Sequence, residues 1–334
     1  MATIPVPRPP QELPTEAELM STWHGDPEKP LVTVLCTTFN HERFIRDAIH
    51  GFLIQRTTFP FRVVIHDDAS TDRTADLVRD YEAQYPKIIR GVYQKKNLYS
   101  NGLSRGPFVK PLLLGKYIAR CEGDDYWSDS LKLHKQIEFM ELNRDCAMTF
   151  HPYIIYDDTL NEVIGPPGRT SLTATLVYRN VDLGDRSQIF AGKPVINGDR
   201  VFKFLMWRHG KSAFLENIGP AIYRHHSGGI WSKRDKYSAA IEALRTNLYL
   251  YYEIAQNESE KRWAAAEVAR CLVRLVVVGT PPGLDVKTEL QRSTASLYWE
   301  FWRSYPLARE LRKVLGRMKA RVVKRGVRRR GLVS

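Results

Sequence analysis

Four short stretches of this chain carry side chains of the kinds that do chemistry. EGDDYW, 122–127, packs three carboxylates into four residues directly after the apolar YIA of 117–119. HDDAST, 66–71, places two more after the apolar FRVVI, and NGDR (197–200) and YRHHSGG (223–229) follow later. Clustered like charges repel and a lone carboxylate prefers water, so such a cluster at a strand end needs a cation. Hard oxygen ligands select Mg²⁺ or Mn²⁺, which keep several waters and take substrate phosphates as remaining ligands. The pattern therefore points to a nucleotide-diphosphate substrate, with the metal offsetting charge that develops on a diphosphate leaving group. The plain alternative for EGDD is that Asp124 or Asp129 caps the next helix and the other charges are solvated.

The elements around these stretches give them a common place. LVTVLCT (31–37) and FRVVIH (61–66) are apolar and β-rich, as are residues 88–93, 116–120 and 147–156, and each predicts a strand. Phe44, Ile45, Ala48, Ile49, Phe52 and Leu53 recur at helical spacing, as do Leu77, Val78 and Tyr81 after ASTDRT, where Asp72 or a neighbouring hydroxyl residue is the expected N-cap. A helix is expected over 131–142. Residues 97–107 have loop composition. Alternating strands and amphipathic helices predict an α/β fold with a mostly parallel, Rossmann-like sheet covered on both faces. Ligands of such sheets bind at the carboxyl ends of the strands, so both acidic clusters should share one rim. Residues 159–197 are too rich in Gly, Pro and polar residues to assign. A short helix is expected over 199–207, a strand just ahead of AIYRHHSGGIW (221–231), and helices over 240–255, 260–277 and 287–301.

Length and composition suit one large domain or two small ones with an ample core: 334 residues, 43% hydrophobic and 11% aromatic. Residues 1–30 contain PVPRPP and no apolar h-region, and read as an extended arm. The longest apolar run, 275–278, is far too short to span a bilayer. Cys36, Cys121, Cys146 and Cys271 form neither a CxxC pair nor a dense framework, which suggests buried thiols in a reducing cytoplasm.

Three stretches in order, VTVLCTTFNHERFI, VVIHDDASTDRTADLV and GKYIARCEGDDYW, resemble the family 2 glycosyltransferases, enzymes of the GT-A fold. The resemblance runs well over 31–156 and more loosely over 198–232. It implies a GT-A domain at 31–232, with a nucleotide-sugar half at 31–156 and an acceptor half at 157–232. A helical region (233–300) and a basic tail (301–334) would follow. It also implies inverting transfer from a nucleotide-sugar donor to a glycan or lipid-linked acceptor with Mn²⁺ or Mg²⁺, as in surface polysaccharide or glycolipid synthesis.

Carried onto this sequence, the resemblance puts Thr37, Phe39 and Asn40 at the donor-nucleotide pocket and Asp68 on the base, with Asp67 and Ser70 nearby. Glu122-Gly123-Asp124-Asp125 resembles the DxD motif, with Glu in first place. Glu122 and Asp124 would face the donor and Asp124 and Asp125 the metal. Trp127 would line the acceptor sugar site, or be a core residue. AIYRHHSGGIWS resembles a segment of the form YRxHSGGxWS, which makes His226 a metal ligand or diphosphate contact. Arg224 and Ser227 would then lie near phosphate, unless Arg224 pairs with a carboxylate. Inverting transfer needs a base to take the acceptor proton. Asp199 stands where similar enzymes place it, although it would also N-cap the helix that follows, and Asp185 is the alternative.

The net charge of +13 is uneven, since residues 301–334 hold twelve Lys/Arg and one Glu and the first 300 residues carry only +2. Leu307, Leu311, Val314, Leu315, Met318 and Val322 fall at helical spacing among these basic residues. A basic amphipathic helix suits an anionic membrane surface, so the expected location is cytoplasmic and peripheral at the inner face. A nucleic-acid-binding protein is the rival of another class, but no nucleic-acid motif interrupts the nearly neutral body. A catalytically silent GT-A module is the other.

Overall fold

Val32–Thr38 is apolar and buried along almost its whole length, as a strand covered on both faces must be. In the computed structural model, which describes residues 6–8, 12–184, 197–229 and 235–278, it is β1, an interior strand of a seven-stranded sheet. Parallel to it on either side lie β2 (Phe61–Asp67) and β4 (Tyr117–Glu122), with β3 (Ile89–Tyr93) beyond β2. The register sets Thr38 beside Asp67 and Thr37 beside Glu122, so the expected rim is real. The helices α2 (Ile45–Leu53) and α3 (Thr74–Gln84) join β1 to β2 and β2 to β3, and α5 (Lys132–Leu142) follows β4 in the chain. The apolar stripes read from the sequence for α2 and α3 are buried.

The order of the sheet is β10-β6-β9-β4-β1-β2-β3. β6 is Cys146–Phe150, β9 is Val177–Arg179 and β10 is Lys211–Phe214. β9 is antiparallel to both β4 and β6, and supplies the expected exception to a parallel sheet. A second sheet has the order β5-β11-β7-β8, from Tyr126–Trp127, Ala221–His225, Tyr153–Asp157 and Glu162–Val163. Sequence periodicity made 147–156 a single strand. The structure breaks it at His151-Pro152, and β6 and β7 join different sheets. Proline lacks the N–H that a ladder needs, so it marks the crossing. Likewise AIYRH is itself a strand rather than the sequel to one.

The expected extended arm is also corrected. Glu16–Met20 is a short helix, α1, closed by a capping box between Thr15 and Glu18. Leu19 is buried in the core of the large sheet, with Leu13, Met20 and Trp23 against it. Between β3 and β4 lie the four-residue α4 (Gly106–Val109) and a 3₁₀ turn, Lys110–Leu112.

These elements form one compact unit, of the described residues up to Gly184 with 206–229. A second unit contains most of α6 (Gly198–Trp207), α7 (Lys236–Tyr249), a π-helical turn Leu250–Ile254, and α8 (Glu258–Val278). Its interior is Ala240, Ile241, Leu244 and Leu248 of α7 with Ala264, Ala265 and Val268 of α8, and Phe204 packs on Trp263. All four cysteines are free and buried, as expected.

One close approach positions the site. A Cβ on Gly51 of α2 would lie 2.8 Å from the backbone nitrogen of Trp127 and 2.9 Å from its oxygen. Backbone cannot step aside as a flexible side chain can. Gly51→Ala should therefore destabilise the fold by about 2–3 kcal/mol, the scale of overpacking a tight contact, seen as a lower urea midpoint at unchanged slope.

Candidate active site

The loops after β1 and β2 are laced to each other. Asn40, at φ +55°, gives its N–H to Ser70 Oγ, and its side-chain oxygen takes the N–H of Thr71 at 2.8 Å. His41 gives its N–H to Thr74 Oγ1 at 2.8 Å, and Glu42 gives its own to Asp72. Asp67 holds Ser70 through both the N–H and the hydroxyl. The TTFNHE and DDASTD motifs are thus struts for one another. Asp72, the expected N-cap, sits one residue ahead of the capping position, Arg73, yet still accepts the N–H of Thr74.

The struts hold the His41 imidazole over the turn after β4. Gly123 permits this, because a Cβ there would lie 2.6 Å from Thr38 Oγ1 and 3.1 Å from His41 Nδ1. Asp124 Oδ2 lies 3.6 Å from His41 Nε2 and 3.1 Å from His226 Nε2, just beyond β11. One ligand atom from each of His41, Asp124 and His226 lies within 4.8 Å of the others, a spacing that suits a shared cation. Burial would push the Asp124 carboxyl up. The hydrogen bond with His226 and the charge of His41 outweigh it, so the net shift is downward and favours the carboxylate. Burial pushes His41 down, against the pull of Asp124, a shift toward the neutral imidazole that has a lone pair to offer.

Asp125 behaves differently from its neighbour. It is fully buried, and its Oδ1 accepts the backbone N–H of Arg224 at 3.0 Å. Burial, with the charges of Asp124 and Glu122 beside it, drives its carboxyl well above the usual range despite Arg224. Asp125 was expected as a ligand and lies outside the three-residue group, because its side chain turns into the protein. Glu122, at the end of β4, is half-buried and its carbonyl closes the turn onto the Asp125 N–H. Of the expected ligands Asp124, Asp125 and His226, the first and the last meet in this group, and His41 is the third member.

Other expected residues also stand elsewhere. Arg224 was expected at phosphate or paired with a carboxylate, and it is buried in the second of these places. Its guanidinium pairs with Asp47 of α2, donates to the Asp124 carbonyl at 3.1 Å, and lies over the rings of Phe44 and Tyr126. It clamps the acidic turn to α2. Asp68 was expected on a base, but its two oxygens accept the N–H groups of Leu98 (2.8 Å) and Tyr99 (3.0 Å), so it braces the loop after β3. Trp127 offers no face to an acceptor. It is fully buried, edge-on to Phe52, and donates from Nε1 to the Ala174 carbonyl. Thr37 is half-buried at the rim and Phe39 is 41% exposed there, while Ser227 is exposed just after His226. Asp199 lies in the second unit, inside the first turn of α6 rather than capping it, with Lys203 Nζ at 3.3 Å. Asp185 lies outside the described residues.

Sequence reasoning passed over His41, Asp47, Phe44 and Tyr223. The signal for His41 was present: a metal-ligating side chain three residues past a strand on the same rim as EGDD. Phe44 packs 4.6 Å from the His226 ring. Tyr223 is half-buried, and its hydroxyl is pushed up by burial and by the charges of Asp125, Asp124 and Glu122. Alternation along β11 was the signal there.

The chain is similar to known proteins. Residues 33–192 match the model of glycosyl transferase family 2. The putative teichuronic acid biosynthesis glycosyltransferase TuaG of Bacillus subtilis is 33% identical over 270 residues, 76% of this chain and 99% of its own length. The chain belongs to glycosyl transferase family 2. The Escherichia coli β-1,3-glucosyltransferase WfaP, which uses UDP-Glc on GlcNAc-diphosphoundecaprenol, is 26% identical over 62% of this chain and 82% of its own. Staphylococcus aureus TarS, solved with UDP-GlcNAc, superposes with a TM-score of 0.58 at 18% identity over 81% of this chain and 80% of that one, which shows the GT-A fold. No helix among the described residues is long and apolar enough to cross a membrane.

Proposed function

We propose that this family 2 glycosyltransferase moves a sugar, with inversion, from a nucleotide-diphosphate sugar to a hydroxyl of a glycan or lipid-linked acceptor in surface polysaccharide synthesis. The observation that carries the reading is the convergence of His41, Asp124 and His226 on the rim formed by the ends of β1, β2 and β4. TuaG and WfaP lend support from the names they bear. The donor set fits a divalent first-row metal, and two imidazoles favour Mn²⁺ over Mg²⁺. Bound there, such a metal would supply positive charge for the diphosphate as it leaves.

The chain's own residues do the rest. Thr37, Phe39 and Asn40 bound the donor pocket, and Asp67 and Asp68 shape it through Ser70 and the loop after β3. Arg224 fixes the Asp124 carbonyl, and Ser227 follows His226 where the chain can approach phosphate. Asp199 takes the acceptor proton, an assignment supported by its place in NGDR at the start of α6. The basic tail at 301–334 lies outside the described residues, and its composition supports peripheral attachment to an anionic leaflet at the cytoplasmic face.

The test is a thermal-shift panel of UDP-, GDP-, CMP- and dTDP-sugars with and without Mn²⁺ or Mg²⁺. A ligand at 100 times its Kd stabilises by about 2.7 kcal/mol, or roughly 5–10 °C for a domain this size. One nucleotide class should give a metal-dependent rise that is absent in Asp124→Asn. A panel with no metal-dependent rise for any donor would remove the reading.

A further inference from the structure

Four of the eight exposed large hydrophobic side chains among the described residues, Tyr99, Leu103, Phe108 and Leu114, lie in one stretch of sixteen residues. That concentration singles out the connection between β3 and β4. Its charge is as one-sided as its apolar content: Lys95, Lys96, Arg105, Lys110 and Lys116 fall between 95 and 116, with no Asp or Glu. Lys110 and Lys116 pair with Asp182 and Glu141 of the body, which leaves the excess at Lys95 and Lys96, at the start of the loop.

The loop has a built shape rather than a collapsed one. Asp68 grips the N–H groups of Leu98 and Tyr99, Asn97 donates to the Asp68 carbonyl, and Leu98 and Val109 are buried anchors. Within it, Ser100 donates to Asn97, Gly102 to the Tyr99 carbonyl and Leu103 to that of Leu98. Asn180 ties down the far end through the carbonyls of Leu113 and Gly115. So many internal bonds hold Tyr99 66% and Leu103 59% exposed, although burial of such large apolar side chains is favourable.

We propose that this loop is a docking surface for an anionic lipid bilayer, separate from the 301–334 tail. Aromatic and leucine side chains flanked by lysine and arginine, without acidic residues, are what an interfacial lipid contact requires. Asp68 roots the loop at the end of β2, so the docked bilayer lies beside the donor rim. That placement would deliver a lipid-linked acceptor to the site, and this last clause alone rests on the proposed function.

The test reads the loop itself, in the full chain. The native cysteines are buried, so an environment-sensitive NBD label attaches at Leu103→Cys, with Leu142→Cys on α5 as the exposed control. Vesicles of phosphatidylcholine with phosphatidylglycerol should blue-shift the Leu103 label and bring it within reach of nitroxide-bearing acyl chains, while the control stays in water. Pure phosphatidylcholine should do so weakly, and Lys95→Gln/Lys96→Gln should weaken partitioning by about 25-fold, about fivefold per lysine. A Leu103 label that stays in water while the protein sediments with vesicles would assign membrane contact elsewhere and overturn the proposal. So would a shift produced by a sugar nucleotide without lipid, which marks a donor lid, or by protein concentration alone, which marks a second copy. None of these readouts uses transferase activity, so their failure leaves the proposed function standing.

Discussion

Asp124→Asn should lower kcat/KM by about 10³-fold and abolish the response to Mn²⁺, while Asp125→Asn should stay within about tenfold of wild type, a contrast consistent with the loss of a single charge-stabilising group. The two residues are neighbours in sequence and both are carboxylic acids, so only their surroundings separate them. Asp124 is drawn toward its ionised form by two imidazoles, and both of those can share a cation with it. Asparagine keeps its shape but loses the charge. Asp125 is pushed toward the neutral acid by burial and by its two acidic neighbours. Asparagine is nearly isosteric with that neutral acid, and its side-chain oxygen still accepts the Arg224 N–H. Asp125→Ala removes that acceptor and should cost about 1–3 kcal/mol of stability, the penalty for stranding a buried donor. Steady-state kinetics across a Mn²⁺ titration, with urea melts of all three variants, checks the set. Equal loss of the metal response in Asp124→Asn and Asp125→Asn would return both residues to the ligand role that the sequence suggested.

That contrast shows where the sequence could be read and where it could not. Strands 31–37, 61–66 and 116–120 announced themselves because a central parallel strand buried on both faces must be apolar throughout. Their common rim followed from connectivity. By contrast, β9 has three residues and sits antiparallel inside a stretch with no usable periodicity. No local pattern reveals a strand that short. The break at His151-Pro152 was legible in the proline but was overridden by the apolar residues around it. The capping box of α1 was present as Thr15-Glu18, hidden by the proline-rich composition ahead of it.

The site divides in the same way. Motif order placed Asp124 and His226 correctly on the rim, because both follow strand ends. Which way each side chain turns depends on contacts made across the chain. Asp125 meets the backbone of a residue 99 positions later, Arg224 meets Asp47 177 positions earlier, and Asp68 meets the loop 30 residues on. Sequence spacing carries no record of such partners. Each of these three residues has a ligand role suggested by its motif and, in the structure, a long-range contact that holds the scaffold.

Lys132→Met should make the protein more stable, by about 2–3 kcal/mol at pH 7, and should flatten its stability between pH 7 and 8.5. Lys132 opens α5 and reads in sequence as an ordinary helix-start lysine. It is instead fully buried, 3.9 Å over the ring of Trp127, and its Nζ has no hydrogen-bond partner among the described residues. Burial lowers its pKa to about 7, against the smaller upward pull of Cys121 and Asp129. The unfolded chain keeps this proton to about pH 10.4, so between 7 and that value it binds one proton more than the folded state. Stability therefore rises with pH across this window, by about 1.4 kcal/mol per unit at most. Below the folded value both states are protonated, and the cost of the buried ammonium is constant and greatest. The Trp127 face returns part of that cost through its contact with the cation, on the order of 1–2 kcal/mol, which is why the expected gain falls short of the full linkage value. Methionine keeps the length and apolar stem, and its sulfur packs well on an indole. Buried His151 is held well below its usual value and adds a slope of the same sign nearer pH 6, and Cys36 and Cys121 are pushed up and add the opposite slope above pH 8.5. The difference between wild-type and variant urea curves at pH 6, 7, 8 and 8.5 removes these shared contributions. A difference that shrinks steadily from pH 7 to 8.5 identifies the buried ammonium, whereas a pH-independent difference would mean that Lys132 stays charged throughout, held by Trp127.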